Sequence, residues 1–221
     1  MTTAEQTRQR ILDAATEEFA THGIAGARVD RIAKRSGMSK PMIYAYYGAK
    51  DQLFDAVFHA HVIANGDRVP FTAAELPEYA AQLYDDYLAD PALARLVLWK
   101  RLERESTGYL YPSLEDHDVR HIQDIEAEQR AGSIRPDLDP ADIWSLLIST
   151  AATWAQASMT VVATSADAPE VHQRRRTALA ATIRAGLCAQ DERGEDQHHG
   201  ERRGQHRRAD HEERHDRTQP Q

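Results

Sequence analysis

Apolar side chains recur along most of the chain at three- and four-residue spacing, and no stretch sustains an apolar–polar alternation of period two. That pattern predicts an all-α protein. A first helix is expected over residues 7–22, with Ile11, Leu12, Ala15 and Phe19 on one face and Gly23 as its stop. Two short helices follow over 29–36 and 40–47, then a fourth over 50–64 that Asn65-Gly66 should end. Further on, Asp90-Pro91 and Asp139-Pro140 each place a cap acceptor before a proline at the first helical position. Asp167-x-x-Glu170 has the form of a capping box. Helices are therefore expected over 76–89, 91–106, 118–131, 140–164 and 168–188.

At Gln190 the periodicity stops. Residues 190–221 contain no Val, Ile, Leu, Met or aromatic side chain, so burial cannot offset the entropy of ordering them, and the segment is expected to be a disordered charged tail. The organisation predicted is thus a helix-turn-helix head over 1–50, a larger helical body over 51–189 and the tail over 190–221.

Composition narrows the setting. No run of about 18 apolar residues is present, so no membrane span or membrane partner is expected. The N-terminus leads straight into an amphipathic helix and lacks the apolar stretch of a signal peptide. A single cysteine, Cys188, rules out an internal disulfide and fits a reducing cytoplasm. The net charge of −8 looks wrong for a DNA-binding protein, but it is unevenly spread. Residues 1–50 carry eight Lys/Arg against five Asp/Glu, whereas 51–189 carry 12 against 21. A basic head on an acidic body favours a one-ended contact with DNA, because acidic surface elsewhere opposes misoriented binding.

The chemistry concentrates in VDRIAKRSGMSKPMIYAYYGAK, residues 29–50. Two short helices around Gly37-Met38 have the shape of a helix-turn-helix, whose second helix enters the major groove. Val29, Ile32 and Ala33 form the inward face of the first, and Ile43 and Tyr47 hold the second inward. Ser39 caps that second helix and leaves its hydroxyl near a phosphate. Lys40, Pro41, Met42, Ala45 and Tyr46 then point outward. Lys40 suits guanine O6/N7 or phosphate, and Met42 and Ala45 suit thymine methyls. Tyr44, Tyr46 and Lys50 are placed to reach phosphates, which position a protein without reading sequence.

The segments TRQRILDAATEEFATHG and VDRIAKRSGMSKPMIYAYYGAKDQLFDAVF resemble the N-terminal signature of the tetracycline-repressor (TetR) type of bacterial transcription regulators, over roughly residues 7–58. The resemblance implies a homodimer in which each subunit joins a DNA-binding head to a helical ligand-binding and dimerisation body. It puts phosphate contacts on Tyr44 and Lys50 and base reading on Lys40, Pro41, Met42 and Ala45. Two positions depart from the pattern. Ala27-Arg28 replaces the Thr/Ser that commonly caps the second helix, so Arg28 becomes a candidate for a longer-reaching phosphate contact. Tyr47 stands where Phe is usual and brings a hydroxyl that needs a partner.

In the body, 140–164 and 168–188 are expected to pair with their dimer mates as a four-helix bundle. A small-molecule cavity is expected among the helices from 76 to 164, with Tyr84, Leu88, Trp99, Leu102, His121, Ile125, Trp144, Ile148 and Trp154 as candidate wall residues. His59-x-His61 sets its imidazoles on different sides of a helix, so no metal site is expected, and no cofactor is implied. Arg174-Arg175-Arg176 reads as a solvated surface. No nucleophile–base spacing or phosphate loop suggests an enzyme. The reading is a ligand-responsive DNA-binding regulator, a repressor released from a pseudo-palindromic operator by a small molecule. The alternative is a helical ligand-binding or protein-interaction module that no longer reads DNA.

Overall fold

The computed structural model describes residues 3–190 apart from 109, 111 and 157, and for residues 112–117 the backbone alone. Residues 191–221 lie outside the described residues, and with them the expectation of a disordered tail. Among the described residues there are nine α-helices: α1 Thr3–Gly26, α2 Val29–Ser36, α3 Lys40–Tyr47, α4 Lys50–Arg68, α5 Leu76–Ala89, α6 Pro91–Glu103, α7 Pro112–Ala131, α8 Pro140–Ala151 and α9 Pro169–Leu187. An isolated antiparallel bridge joins Ile134 to Cys188. Met1–Cys188 make up one compact unit.

The apolar pattern sorts the helices into two main cores. In the first, Ile11, Ala15 and Phe19 of α1 meet Val29 and Ile32 of α2, Ile43 of α3, Leu53, Phe54, Val57 and Phe58 of α4, and Leu96 of α6. Phe19 and Phe54 meet edge-on with ring centroids 5.2 Å apart. Each such side chain contributes about 1.5–3 kcal/mol when taken out of water, so α4 and α6 are integral to the stability of the N-terminal part. The second core gathers Leu76, Tyr79, Ala80 and Leu83 of α5, Ile125 of α7, Ile143 and Leu147 of α8, and Ile183 and Leu187 of α9.

Where helices end differently from expectation, tertiary contacts are the reason. α1 breaks at Gly23 as expected, with non-helical φ 73° and ψ −177°, but a further turn follows to Gly26. α4 continues through Asn65-Gly66, because Asn65 Nδ2 (2.6 Å) and Arg68 Nη2 (2.9 Å) both donate to the buried Asp86 carboxylate on α5. The expected helix over 140–164 stops at Ala151, and Ala152–Trp154 form a 3-10 turn. Trp154 packs edge-on against Tyr84 at 5.9 Å, and its carbonyl accepts the Ala163 N–H at 2.8 Å, which folds the following segment back.

Two expected caps also serve elsewhere. Asp167 does not cap α9 but accepts from Thr164 Oγ1 (3.0 Å) and Arg175 Nη1 (2.6 Å). Arg175 is accordingly buried, with its guanidinium 5.7 Å from the Trp154 ring centre, rather than solvated. Asp90 gives its carboxylate chiefly to His61 Nδ1 at 2.6 Å and to Arg68, with the Leu93 N–H in the first turn of α6 a lesser partner. Asp139 does cap α8, accepting the Ala141 N–H at 2.8 Å.

Candidate nucleic-acid interface and internal cavity

α2 and α3 are joined by a turn in which Gly37 adopts φ 70° and ψ 21°, the left-handed conformation that closes a helix with the least strain on glycine. Its N–H donates to the Ala33 carbonyl. Ser39 begins α3, its Oγ accepting the Met42 N–H at 3.3 Å. α2 has no side-chain cap of its own. Glu18, eleven residues before it on α1 and 2 % exposed, supplies one. Its Oε1 accepts the Arg28 N–H at 2.9 Å, and its two oxygens accept from Arg31 Nε at 2.8 and 3.0 Å. Burial pushes the Glu18 carboxyl upward, but the Arg31 and Arg28 hydrogen bonds outweigh it and hold the group below its ordinary value. A cap reached across the fold leaves no local signal at Ala27-Arg28.

α3 turns Ile43 fully inward, while Lys40, Pro41, Met42, Tyr44 and Ala45 form an exposed face. Tyr46 and Tyr47 are half-buried against the first core, so Tyr46 is only partly outward, with the Arg8 guanidinium 5.8 Å from its ring centre. Tyr47 Oη donates to the Arg8 carbonyl at 3.1 Å, the partner that its hydroxyl requires. Lys40 forms an ion pair with Asp30 in the first turn of α2. Both side chains are exposed, and such pairs are worth about 0–1 kcal/mol, so Lys40 exchanges readily to a base or phosphate. Lys50 Nζ donates to the carbonyls of Ala25 and Ala27, each at 3.2 Å, on the link between α1 and α2. Arg28, in that link, and Ser39, at the start of α3, are both exposed.

α6 grips this unit from the other side. Trp99 Nε1 donates to the Ala20 carbonyl at 3.3 Å, and Glu103 Oε2 accepts the Ala25 N–H at 2.6 Å. Arg104 bridges Asp51 (2.7 Å) and Asp55 (3.0 Å) on α4, and its guanidinium lies 4.9 Å from the Phe54 ring centre. The opposite flank of α6, through Leu93, Ala94, Val97 and Leu98, lines a cavity of about 470 Å³. Phe58 and Val62 of α4, Phe71, Tyr79 and Tyr87, His121 of α7, and Trp144 and Ile148 of α8 complete most of its wall. A smaller cavity of about 170 Å³ adjoins it, lined by Tyr84, Leu88 and Trp154 among others and sharing Tyr87 and Ala155 with the first.

Residues 11–57 match the model of bacterial regulatory proteins of the tetR family, and residues 75–184 match the tetracyclin repressor-like C-terminal domain. The chain is 35 % identical over 152 residues to the HTH-type transcriptional repressor SCO4008 of Streptomyces coelicolor, covering 68 % of this chain and 79 % of that protein. It belongs to the TetR family. The crystal structure of the regulator SCO4942 from the same species shares 36 % identity at a TM-score of 0.69, over 82 % of this chain and 98 % of that one. Over the head alone, the regulator SrpR of Pseudomonas putida is 41 % identical across 54 residues, 24 % of this chain and 25 % of that protein. As a TetR-family protein the chain is a DNA-binding transcriptional regulator.

Within this TetR-family fold the nine candidate cavity residues divide. His121, Trp144 and Ile148 line the larger cavity, and Tyr84, Leu88 and Trp154 the smaller. Ile125 is fully buried within the second core and does not reach either wall. Trp99 packs instead on Gly23 at the break in α1, and Leu102 is 74 % exposed. Both sit on flanks of α6 turned away from the cavity, which a single helix's periodicity cannot distinguish when both flanks are apolar. Phe58, Phe71, Tyr79 and Tyr87 were missed. Tyr79 and Tyr87, eight apart on α5, carried a usable signal, whereas Phe71 lies in the loop before α5 and carried none.

Proposed function

We propose that this TetR-family regulator is a repressor that holds a pseudo-palindromic operator as a homodimer and lets go when a small molecule fills the larger cavity. The observation that carries the DNA half is the exposed face of α3, where Met42 is 41 % and Tyr44 46 % exposed beside a fully buried Ile43. An exposed residue of that size on a capped, inwardly anchored helix suits insertion into a major groove. Lys40, Pro41, Met42 and Ala45 are assigned to bases, and Arg28, Ser39, Tyr44, Tyr46 and Lys50 to phosphates. The head of residues 1–50 reads DNA and the body of 51–189 binds ligand and dimerises. Such a regulator works in the cytoplasm, and no helix among the described residues is long and apolar enough to cross a membrane.

Retardation of the protein's own upstream DNA tests this directly. Lys50→Ala is expected to weaken binding to every sequence and to lower the salt slope by about one. It also removes the bonds to Ala25 and Ala27, so its melting temperature is measured alongside. Met42→Ala is expected to change site preference by about 1–3 kcal/mol at one base pair and leave the salt slope alone. Unchanged footprints in both variants would mean that α3 is not the reading helix.

Dimerisation is assigned to α8 and α9. Leu146 on α8 is 49 % exposed, and Ala178 and Ala181 give α9 an exposed face of small side chains that suits close approach of a partner helix. Two heads related by a two-fold axis would read half-sites roughly 34–36 Å apart. Sedimentation at micromolar concentration is expected to give a dimer, and a monomer there would sink the assignment.

α6 supports the release mechanism, since Val97 and Leu98 face the cavity while Trp99 and Glu103 hold α1. A ligand that favours one position of α6 shifts the dimer between head spacings, and one that binds both spacings equally shifts nothing.

A further inference from the structure

We propose that the larger cavity takes an organic cation, a quaternary ammonium or protonated amine on an apolar body, with its charged end held among Phe71, Tyr79 and Trp144. The inference rests on the reading of this cavity as the effector site. Phe71 meets Tyr79 edge-on at 5.0 Å and 83°, and Trp144 edge-on at 5.2 Å and 79°. All three rings also line the cavity, and a cation lodged against the cluster on that side is drawn to any ring face within about 6 Å of its centroid. The imidazole of His121 lies 4.6 Å from Phe71 and 4.5 Å from Trp144 and closes the same end of the cavity.

Charge on the wall has one sign. Among its described residues the wall carries two carboxylates, Asp67 and Asp118, and neither lysine nor arginine. Arg68, next in sequence to Asp67, is committed to Asp86 and Asp90. Burial, with Tyr87 and Asp118 adding, pushes the Tyr79 hydroxyl up. Burial, with Asp86 adding, pushes Tyr87 up to about 12. An anionic ligand would lose its hydration here and meet two carboxylates with no lysine or arginine among the described wall residues, whereas a cation would exchange water for π faces and opposite charge. Where the cavity borders the first core, Phe58, Val62, Val97 and Leu110 form an apolar wall for the remainder of the molecule.

The test compares three probes of one shape on the full-length protein by calorimetry: (4-phenylbutyl)trimethylammonium, its neutral isostere with carbon in place of nitrogen, and 5-phenylpentanoate. The cation is expected to bind at least about tenfold more tightly than the neutral isostere, equivalent to ~1.4 kcal/mol, with the carboxylate weakest. Asp118→Asn should shrink the cation's advantage and leave the neutral isostere within about twofold. Asp67→Asn, at an exposed position that places no load on the core, should act in the same direction. Equal binding of cation and isostere, tighter binding of the carboxylate, or an advantage untouched in the double variant overturns the cationic class and leaves the effector cavity standing. Binding of none of the three overturns both.

Discussion

Gly23→Ala is expected to cost about 3–5 kcal/mol and to abolish operator binding in a protein that still contains its helices. Two separate penalties add. With φ 73° and ψ −177°, Gly23 occupies a backbone region essentially closed to residues with a Cβ, where the strain is of order 1–3 kcal/mol. A Cβ there would also lie 2.9 Å from Trp99 Cε3 and against the Glu103 carboxylate. Neither neighbour can swing away freely, since Trp99 donates to the Ala20 carbonyl and Glu103 accepts the Ala25 N–H. Overpacking of that kind adds about 1–3 kcal/mol. At roughly 2–4 °C per kcal/mol for a domain of this size, the melting temperature should fall by about 6–20 °C. Gly186→Ala, where a Cβ would meet nothing within 4 Å, is the control and should be neutral or slightly stabilising. A Gly23→Ala protein that melts and binds DNA normally would show that the seat of α6 on α1 does not matter.

The helix-turn-helix was legible because its signals are local. Gly37 and Ser39 act on their own neighbours, and Ile32 and Ile43 declare an inward face within one or two turns. Legibility faded wherever a polar or aromatic side chain was drawn to a distant partner. Asp90 and Asp167 have the sequence context of caps, yet His61 with Arg68 and Arg175 with Thr164 take their carboxylates. Trp154 continues the spacing of Trp144, Leu147 and Ala151, but its docking on Tyr84 ends the helix. The β-branched run Thr160, Val161, Val162 and Thr164 was a local warning that the helix would not continue. Cavity walls were the hardest to read. Whether Trp99 or Trp144 faces the space depends on which flank of each helix finds its neighbour first, and that is settled by packing between α1, α6 and α8.

Glu18→Ala is expected to destabilise the protein by about 2 kcal/mol, because the Arg28 N–H at the start of α2 loses its acceptor inside a closed link. The Arg31 side of the pair faces solvent and adds little. Glu18→Gln keeps an oxygen for the Arg28 N–H and should cost less. The acid limb of stability separates charge from shape. Because the folded-state pKa of Glu18 lies below its ordinary value of 4.5, its contribution is complete above that pH and is lost as the pH falls through the folded value. The gap in melting temperature between the native protein and Glu18→Gln should therefore hold steady from about pH 7 to about pH 5 and narrow toward about pH 3. Operator affinity should fall in Glu18→Ala as well, since α2 sets the entry angle of α3 and Lys50 binds the same link through Ala25 and Ala27. The decisive variant puts the cap back where it is usually found. Arg28→Ser in the Glu18→Ala background should recover about 1 kcal/mol through a local hydroxyl acceptor. A double variant no more stable than Glu18→Ala would show that the first-turn N–H groups a serine caps do not limit the start of α2, and Glu18→Ala melting like the native protein would show that the role assigned to Glu18 is wrong.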